Sequence, residues 1–574
     1  MNYKEKYEKW LAYEALDADL RRELEEIAKD EQEIAERFTQ ELAFGTAGLR
    51  GVIAAGSDRM NIYTVRRATQ GLALQIKERG AENPSVIIGY DSRHKSAEFA
   101  RETARVLAGN GIHVYLFDEL KPVPMVSFGV RHLGCCAGIM ITASHNPAKY
   151  NGYKVYGDDG AQLAPEIAGE VVSKINSLDI FTGAVLADFD EAEKSGLITM
   201  LGQAFEEEYL NEVYAQAINL DAVAKASAAG FKLVYTPFHG AGNLPVQKIL
   251  SKIGLEHVYP VAEQQAPDGD FPTVKSPNPE DKEGFYLAIN LAKEKKSDLI
   301  IGTDPDCDRV GVLCLDKKSG EYVALTGNQV GALLCEYILS QKAARGEMPQ
   351  NPVVIKTIVT SEIIKKICDA YGVELQNVLT GFKFIGEKIK GFEKDGDKNF
   401  VFGFEESYGY LAGTYCRDKD GVVATMLVAE MAAFYSGKGM TLYDALQALF
   451  AKYGAYVESV KNIYREGLSG VAEIKKMMAD ARKNLPAEFA GVKVLAVRDY
   501  KTGQRRDMAT GGVTPVDLPE SDVLFFELEG GLWAVLRPSG TEPKLKIYTC
   551  VCAENEDAAR EKADAILDAL TKLL

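Results

Sequence analysis

The feature that most limits the fold of this chain is a set of short apolar runs that do not alternate with polar residues. They include Val86-Ile87-Ile88-Gly89-Tyr90, His113-Val114-Tyr115-Leu116-Phe117, Ile139-Met140-Ile141, Leu233-Val234-Tyr235, Leu299-Ile300-Ile301, Val353-Val354-Ile355 and Phe400-Val401-Phe402. Runs of this kind suit strands buried on both faces. Amphipathic stretches between them suit helices, so the pattern predicts βαβ units around mainly parallel sheets. At roughly 150 residues per domain, a chain of 574 residues has room for about four domains.

Three such α/β blocks follow one another. The C-terminal stretch differs: Val523 to Leu528, then Glu529-Gly530-Gly531, then Leu532 to Leu536 predicts a β-hairpin with a glycine-containing turn. A helix from about Asn555 to Leu573 closes a smaller α+β domain, and boundaries are expected at 1–205, 206–324, 325–455 and 456–574. Residues 1 to about 43 read as helical, with Leu16, Leu20, Leu24 and Ile27 on one face among dense charge.

A net charge of -17 disfavours nucleic acid and anionic membranes as partners. No Lys/Arg-rich run counters it, and no stretch approaches about 18 uninterrupted apolar residues. The N-terminus is charged throughout and is not a signal peptide. The nine cysteines are scattered, with no CxxC pair, which suits free thiols in a reducing cytoplasm. If the ligand is an anion, it needs a concentrated positive pocket on an acidic body.

Four segments carry chemistry, and three of them fall where a predicted strand ends, the place where open α/β sheets bind ligands. Thr142-Ala143-Ser144-His145-Asn146-Pro147 holds a serine out on a rigid loop, with Asn151-Gly152-Tyr153-Lys154 behind it. It is not the G-x-S-x-G elbow of acyl-transfer enzymes. Asp304-Pro305-Asp306-Cys307-Asp308-Arg309 sets three carboxylates at alternate positions, a hard oxygen-rich site suited to Mg²⁺. An EF-hand would need glycine at 309 and glutamate at 315, where the chain has Arg309 and Leu315. Gly403-Phe404-Glu405-Glu406-Ser407-Tyr408-Gly409 offers acceptors for sugar hydroxyls. Arg537-Pro538-Ser539-Gly540-Thr541-Glu542-Pro543-Lys544 combines cations, hydroxyls and a glycine, the equipment of a phosphate site.

Together, and in this order, the four segments resemble the signature loops of the α-D-phosphohexomutase superfamily of phosphoglucomutases and phosphomannomutases. Phe44-Gly45-Thr46-Ala47-Gly48-Leu49-Arg50-Gly51 is similar to that family's N-terminal active-site loop. The start motif and the length look closer to the subgroup containing phosphopentomutases and glucose 1,6-bisphosphate synthases. Many relatives have glycine between the metal-loop aspartates, where this chain has Pro305 and Cys307.

The resemblance implies three α/β domains plus a C-terminal α+β domain around a central cleft. It implies a phosphoserine at Ser144, Mg²⁺ held by Asp304, Asp306, Asp308 and Ser144, and Lys154 as general base with a pKa lowered by burial or by Arg50 and Arg309. It further implies that Arg50 and Arg309 stabilise the transferring phosphoryl group and that His145 shapes the loop. Glu405 and Ser407 would read the sugar, and Arg537, Ser539, Gly540, Thr541 and Lys544 would grip the distal phosphate, with Lys383 adding a contact. The implied reaction interconverts glucose 1-phosphate and glucose 6-phosphate through a 1,6-bisphosphate, with glucose 1,6-bisphosphate as activator. Phosphomannomutase, phosphopentomutase and sugar-bisphosphate synthase activities stand as alternatives. The implied partners are small-molecule sugar phosphates, and the implied state is a cytoplasmic monomer or dimer.

Overall fold

The computed structural model describes residues 1–46, 48–465, 470–539 and 544–574. Ala47, Gly540 and Thr541 of the motifs above lie outside the described residues.

Four sheets follow one another along the chain. The first has six strands; its centre is the parallel set Ala137–Ile141, Ser85–Tyr90, His113–Phe117 and Ile198–Leu201, and at one edge Tyr150–Tyr156 and Leu49–Val52 run antiparallel. The second has five strands, with Leu299–Thr303, Leu233–Thr236 and Val258–Pro260 parallel and Val310–Asp316 and Glu321–Leu325 returning antiparallel. In the third, Glu374–Val378, Pro352–Thr357 and Asn399–Glu405 are parallel and Gly409–Ala412 closes the edge antiparallel. The fourth is an eight-stranded antiparallel sheet that includes the expected hairpin, Leu524–Leu528 with Leu532–Pro538. Helix Glu556–Lys572 packs on it, capped by the Asn555 side chain. The apolar runs form the strands because their side chains meet helices on both faces; Ala137–Ile141 and Leu299–Thr303 are buried at every position.

The N-terminal segment forms three helices, Tyr3–Ala12, Ala18–Glu26 and Glu31–Phe38. Trp10 anchors them, with ring centroids 5.8 Å from Phe38 and 5.2 Å from Phe181. Among the described residues, no helix is long and apolar enough to cross a membrane.

One construction recurs. The serine loop joins Ala137–Ile141 to Tyr150–Tyr156, the aspartate loop joins Leu299–Thr303 to Val310–Asp316, and residues 406–408 join Asn399–Glu405 to Gly409–Ala412. Each pair is antiparallel and adjacent, so each chemical segment is the tip of a hairpin. The strands flanking residues 539–543, Leu532–Pro538 and Lys544–Ala553, are also antiparallel neighbours.

Candidate active site

Ser144 is held in the left-handed region at φ 51°, a conformation non-glycine residues avoid unless the surroundings fix it. Its backbone N–H donates to Thr142 Oγ1 at 2.9 Å, and that hydroxyl donates to Asp91 Oδ2 at 2.6 Å. Arg93, buried beneath the loop, donates to four carbonyls: Ser144 and Asn146 through Nη2, Pro147 and Tyr150 through Nη1. The sequence suggests an exposed hydroxyl, but Ser144 is only 3% exposed, because the aspartate loop of the second sheet covers it. Ser144 Oγ donates to Asp304 Oδ2 at 2.8 Å and lies 3.1 Å from His145 Nδ1.

Asp304, Asp306 and Asp308 are buried, and one oxygen from each fits within a 4.8 Å cluster. Asp304 Oδ1 accepts the backbone N–H groups of Asp308 and Arg309 at 3.1 and 3.0 Å, which curls the loop around it. Lys154 Nζ donates to Asp306 Oδ2 at 2.7 Å and to Asp308 Oδ2 at 3.2 Å. Asp306 Oδ1 and Asp308 Oδ1 are buried without a hydrogen-bond partner. Orphaned carboxylate oxygens are costly and suit a hard divalent cation. Burial and the charges of Asp306 and Asp308 hold the Asp304 carboxyl well above its usual pKa. Asp308 moves the other way: burial opposes ionisation, but Lys154, Lys419 and Arg309 outweigh it.

Lys154 corrects an expectation. Burial does push its pKa down, but Asp306 and Asp308 more than offset this and the net shift is upward. Arg50 and Arg309 are engaged elsewhere: Arg50 Nη1 donates to Asn146 Oδ1 at 3.3 Å, and Arg309 Nη1 donates to Glu280 Oε1 at 2.9 Å. Burial, then the charges of Arg309 and Arg50, keep the His145 imidazole far below its ordinary pKa and therefore neutral. Strand Leu49–Val52 delivers Arg50 by pairing with Tyr150–Tyr156. Gly48 makes that approach possible at φ +81°, where a Cβ would sit 1.8 Å from the Tyr153 carbonyl oxygen.

A cavity of about 450 Å³ opens beside His145 and Arg309 and is lined across the gap by Ser407, Arg537, Lys546 and Trp533. Ser407 Oγ donates to Glu405 Oε2 at 3.1 Å, while Glu405 Oε1 is buried and unpartnered. Arg537 stands directly opposite Lys546 on the neighbouring strand. The Ser539 N–H donates to the Lys544 carbonyl at 2.8 Å. Lys383 is apart from the cavity wall and donates to Thr46 Oγ1 at 3.3 Å, tying the third sheet's helix to the N-terminal motif.

The structure thus gathers Ser144, His145, Arg50, Lys154, Arg309 and the three aspartates at one end, with Glu405, Ser407 and Arg537 towards the other. Sequence reasoning missed Asp91, Arg93, Lys419 and Lys546. The first two follow a strand end directly, the same signal that marked the other loops. Lys419 sits in Arg417-Asp418-Lys419-Asp420-Gly421, a charged stretch whose burial nothing in the sequence discloses. Lys546 lies two residues beyond the phosphate motif.

Comparison with known proteins decides the family. Models of the phosphoglucomutase/phosphomannomutase alpha/beta/alpha domains I, II and III match residues 41–180, 207–317 and 326–453, and the model of the C-terminal domain matches 473–569. The chain belongs to the phosphoglucomutase/phosphomannomutase family. The phosphoglucomutase of Staphylococcus haemolyticus (strain JCSC1435) is 39% identical over 521 residues, spanning 90% of this chain and 92% of that one. That of Staphylococcus saprophyticus is 36% identical over 558 residues, 97% and 98% of the two chains. The fold matches the open form of Paramecium parafusin, a phosphoglucomutase, with TM-score 0.68, 16% identity and coverage of 93% and 96%. It also matches a phosphoglucomutase/phosphomannomutase family protein of Burkholderia thailandensis, with TM-score 0.65, 17% identity and coverage of 92% and 97%. As a member of the phosphoglucomutase/phosphomannomutase family this chain is a phosphosugar mutase, an isomerase of carbohydrate metabolism. The family is metal-dependent, and among the described residues Asp304, Asp306 and Asp308 form a buried cluster that could hold an ion.

Proposed function

We propose that this mutase interconverts glucose 1-phosphate and glucose 6-phosphate, with Ser144 carrying the phosphoryl group between turnovers. The observation that carries the reading is the 2.8 Å hydrogen bond from Ser144 Oγ to Asp304 inside the aspartate cluster. It sets the serine oxygen against the cluster that could hold a cation, where a phosphoryl group on that oxygen would be neutralised.

Asp304, Asp306 and Asp308 would hold Mg²⁺, which when bound supplies Lewis-acid neutralisation of phosphoryl charge. The chain does the rest. Arg537, with Ser539, Gly540, Thr541 and Lys544, grips the phosphate that is not reacting. Glu405 and Ser407 orient the sugar through its hydroxyls, and Lys383 steadies the N-terminal motif through Thr46. The free hydroxyl attacks the phosphorus of phosphoserine, its O–P bond forms, and the bond to Ser144 Oγ breaks. Lys154 takes the hydroxyl proton in this half and returns it in the other. Burial alone favours its neutral amine, so engagement of the Asp306 and Asp308 charges frees it for that role. Arg50 and Arg309 stabilise the phosphoryl oxygens in flight, and neutral His145 lines the loop. The 1,6-bisphosphate then exchanges ends and returns its other phosphoryl group to Ser144. Loss of this intermediate leaves an unphosphorylated serine, so glucose 1,6-bisphosphate activates.

The family matches each fall within one of the units 1–205, 206–324, 325–455 and 456–574, which supports those as the domains. Nine free cysteines, seven of them buried, support a reducing cytoplasm as the setting.

The test is initial rates on glucose 1-phosphate, mannose 1-phosphate and ribose 1-phosphate with Mg²⁺ and glucose 1,6-bisphosphate, together with intact mass of the protein. Fastest turnover of the glucose ester and a phosphoryl adduct on Ser144 are expected. Turnover with no adduct at any stage would overturn the serine's role, and preference for the pentose ester would overturn the substrate.

A further inference from the structure

Domain II carries a segment that no step of the scheme uses. Between helix Ala262–Gln265 and the single turn Lys282–Phe285, residues 266–281 form neither helix nor strand. Connections longer than about 12–15 residues without secondary structure are uncommon inside compact domains and usually serve a function. This one is firmly tied at its root. The ring of buried His239 bridges two of its residues, with Nδ1 3.0 Å from the Ala266 carbonyl oxygen and Nε2 2.9 Å from Thr273 Oγ1. Gln264 Nε2 donates to the same threonine hydroxyl at 2.9 Å.

The tip of this strap leaves its own domain and crosses onto the serine loop of domain I. Gly269 lies so close to His94 that a Cβ would fall 2.7 Å from the His94 backbone nitrogen, and Asp270 Oδ1 meets His94 Nε2 at 2.7 Å. Ser276 Oγ donates to the His145 carbonyl at 3.0 Å. Between these contacts Phe271 is 2% exposed and held at φ 47°, a region that a bulky residue enters only when its surroundings fix it. Its ring centroid lies 5.0 Å from the Arg93 guanidinium carbon. That guanidinium is the group that gathers the carbonyls of Ser144, Asn146, Pro147 and Tyr150. All four bonds leave from the edge of a planar group. They set the loop only while the plane itself stays put, and an aromatic ring against a buried cation holds it through contact area and quadrupole attraction together.

We infer that Phe271 is a positioning residue for phosphoryl transfer: carried over from domain II by the strap, it holds the Arg93 guanidinium against the serine loop and so fixes the place of Ser144. The inference rests on the reading of Ser144 as the phosphoryl carrier.

The experiment follows kcat, KM for glucose 1-phosphate, and the rate and final extent at which Ser144 gains phosphoryl mass from glucose 1,6-bisphosphate, all on the full chain with Mg²⁺ after discharge by excess glucose 6-phosphate. Phe271→Leu and Phe271→Met fill much of the volume but lack the π face. In both, kcat and the phosphorylation rate should fall about 10–100-fold, because a reacting group misplaced by about 1 Å costs that much. KM should hold, since the phosphate grip is untouched, and the final extent should stay complete. Phe271→Tyr or Phe271→Trp, which keep a ring over the cation, should retain rates near the natural ones. A merely structural residue would behave differently: its loss would lower Tm and the final extent, not the rate at each folded site. In an Arg93→Lys background, whose ammonium cannot span four carbonyls, Phe271→Leu should cost little more, because both changes break one chain of contacts. Natural rates in folded Phe271→Leu and Phe271→Met, equal losses with and without a ring, or additive losses with Arg93→Lys would each overturn the inference while leaving the mutase reading intact. Absence of the adduct from every protein, the natural one included, would overturn the phosphoserine reading first, and this inference with it.

Discussion

The two ends of the cleft concentrate opposite charges, three buried carboxylates at one and a cross-strand pair of cations at the other. At the serine end the three aspartates leave Asp306 Oδ1 and Asp308 Oδ1 unpaired, and the donors Arg93 Nε and Arg309 Nε are unpaired there as well. On the antiparallel wall the unpaired atoms include donors, Trp533 Nε1 and Thr549 Oγ1, next to a cross-strand pair of cations, Arg537 and Lys546. A buried polar atom without a partner costs about 1–3 kcal/mol, and like charges directly opposite on adjacent strands are unfavourable. The carboxylate cluster suits a cation, and the Arg537–Lys546 pair suits an anion. The serine end is also braced across domains, while the gripping wall belongs to a single sheet.

Substitutions can break this contrast. The largest effect is expected from Ser144→Ala, which removes the phosphoryl acceptor and should lower kcat by roughly 10⁴-fold or more. The hydroxyl is buried, but its loop is held by Arg93 and Thr142, so circular dichroism should stay native; a variant with near-normal rates would dismiss the serine. Asp306→Asn should come next, with kcat down by about 10²–10³-fold and a higher Mg²⁺ requirement; an unchanged metal titration would argue against the carboxylate cluster as the metal site. Arg537→Ala acts on the cationic wall alone and should raise KM for the monophosphate by about 10–100-fold with a smaller change in kcat. If kcat falls and KM stays, the two ends are not separable in the way described.

A subtler test uses pH. Burial, reinforced by the charge of Glu405, pushes the Glu406 carboxyl up to about 7 from the ordinary glutamate value of 4.5. The folded protein therefore keeps a proton that the unfolded chain loses. This contribution is complete below about pH 4.5, declines as pH rises through about 7, and is constant beyond. Glu406→Gln should flatten Tm against pH in that window, and an unaltered slope would show that Glu406 ionises normally. Its ionised form also adds negative charge near Arg537, so monophosphate KM should rise above pH 7 in the natural protein and less so in the variant.

The strands, their helices and the four loops could be read from the sequence because each rests on a local pattern: apolar runs buried from both sides, and chemical residues packed into a few consecutive positions. The contacts between loops could not. That Arg93 spans four carbonyls of the serine loop, or that Lys419 reaches Asp308, depends on which sheets face each other, and nothing near Lys419 in sequence distinguishes it from an exposed charged turn. The expectation for Lys154 erred for the same reason. Burial was foreseeable, but the arrival of two aspartates from another domain, which reverses the shift, was not. Ser144 looked exposed because a loop beyond a strand usually is, and here a neighbouring domain roofs it.

The hairpin construction has a consequence for how such an enzyme can be altered. Each tip is clamped by two strands in fixed register, so residues within it can be exchanged without moving the frame, but a tip cannot shift alone. New substrate preferences should arise by swapping tip residues or by pivoting whole sheets, and transplanting one tip between related chains should carry its chemistry intact.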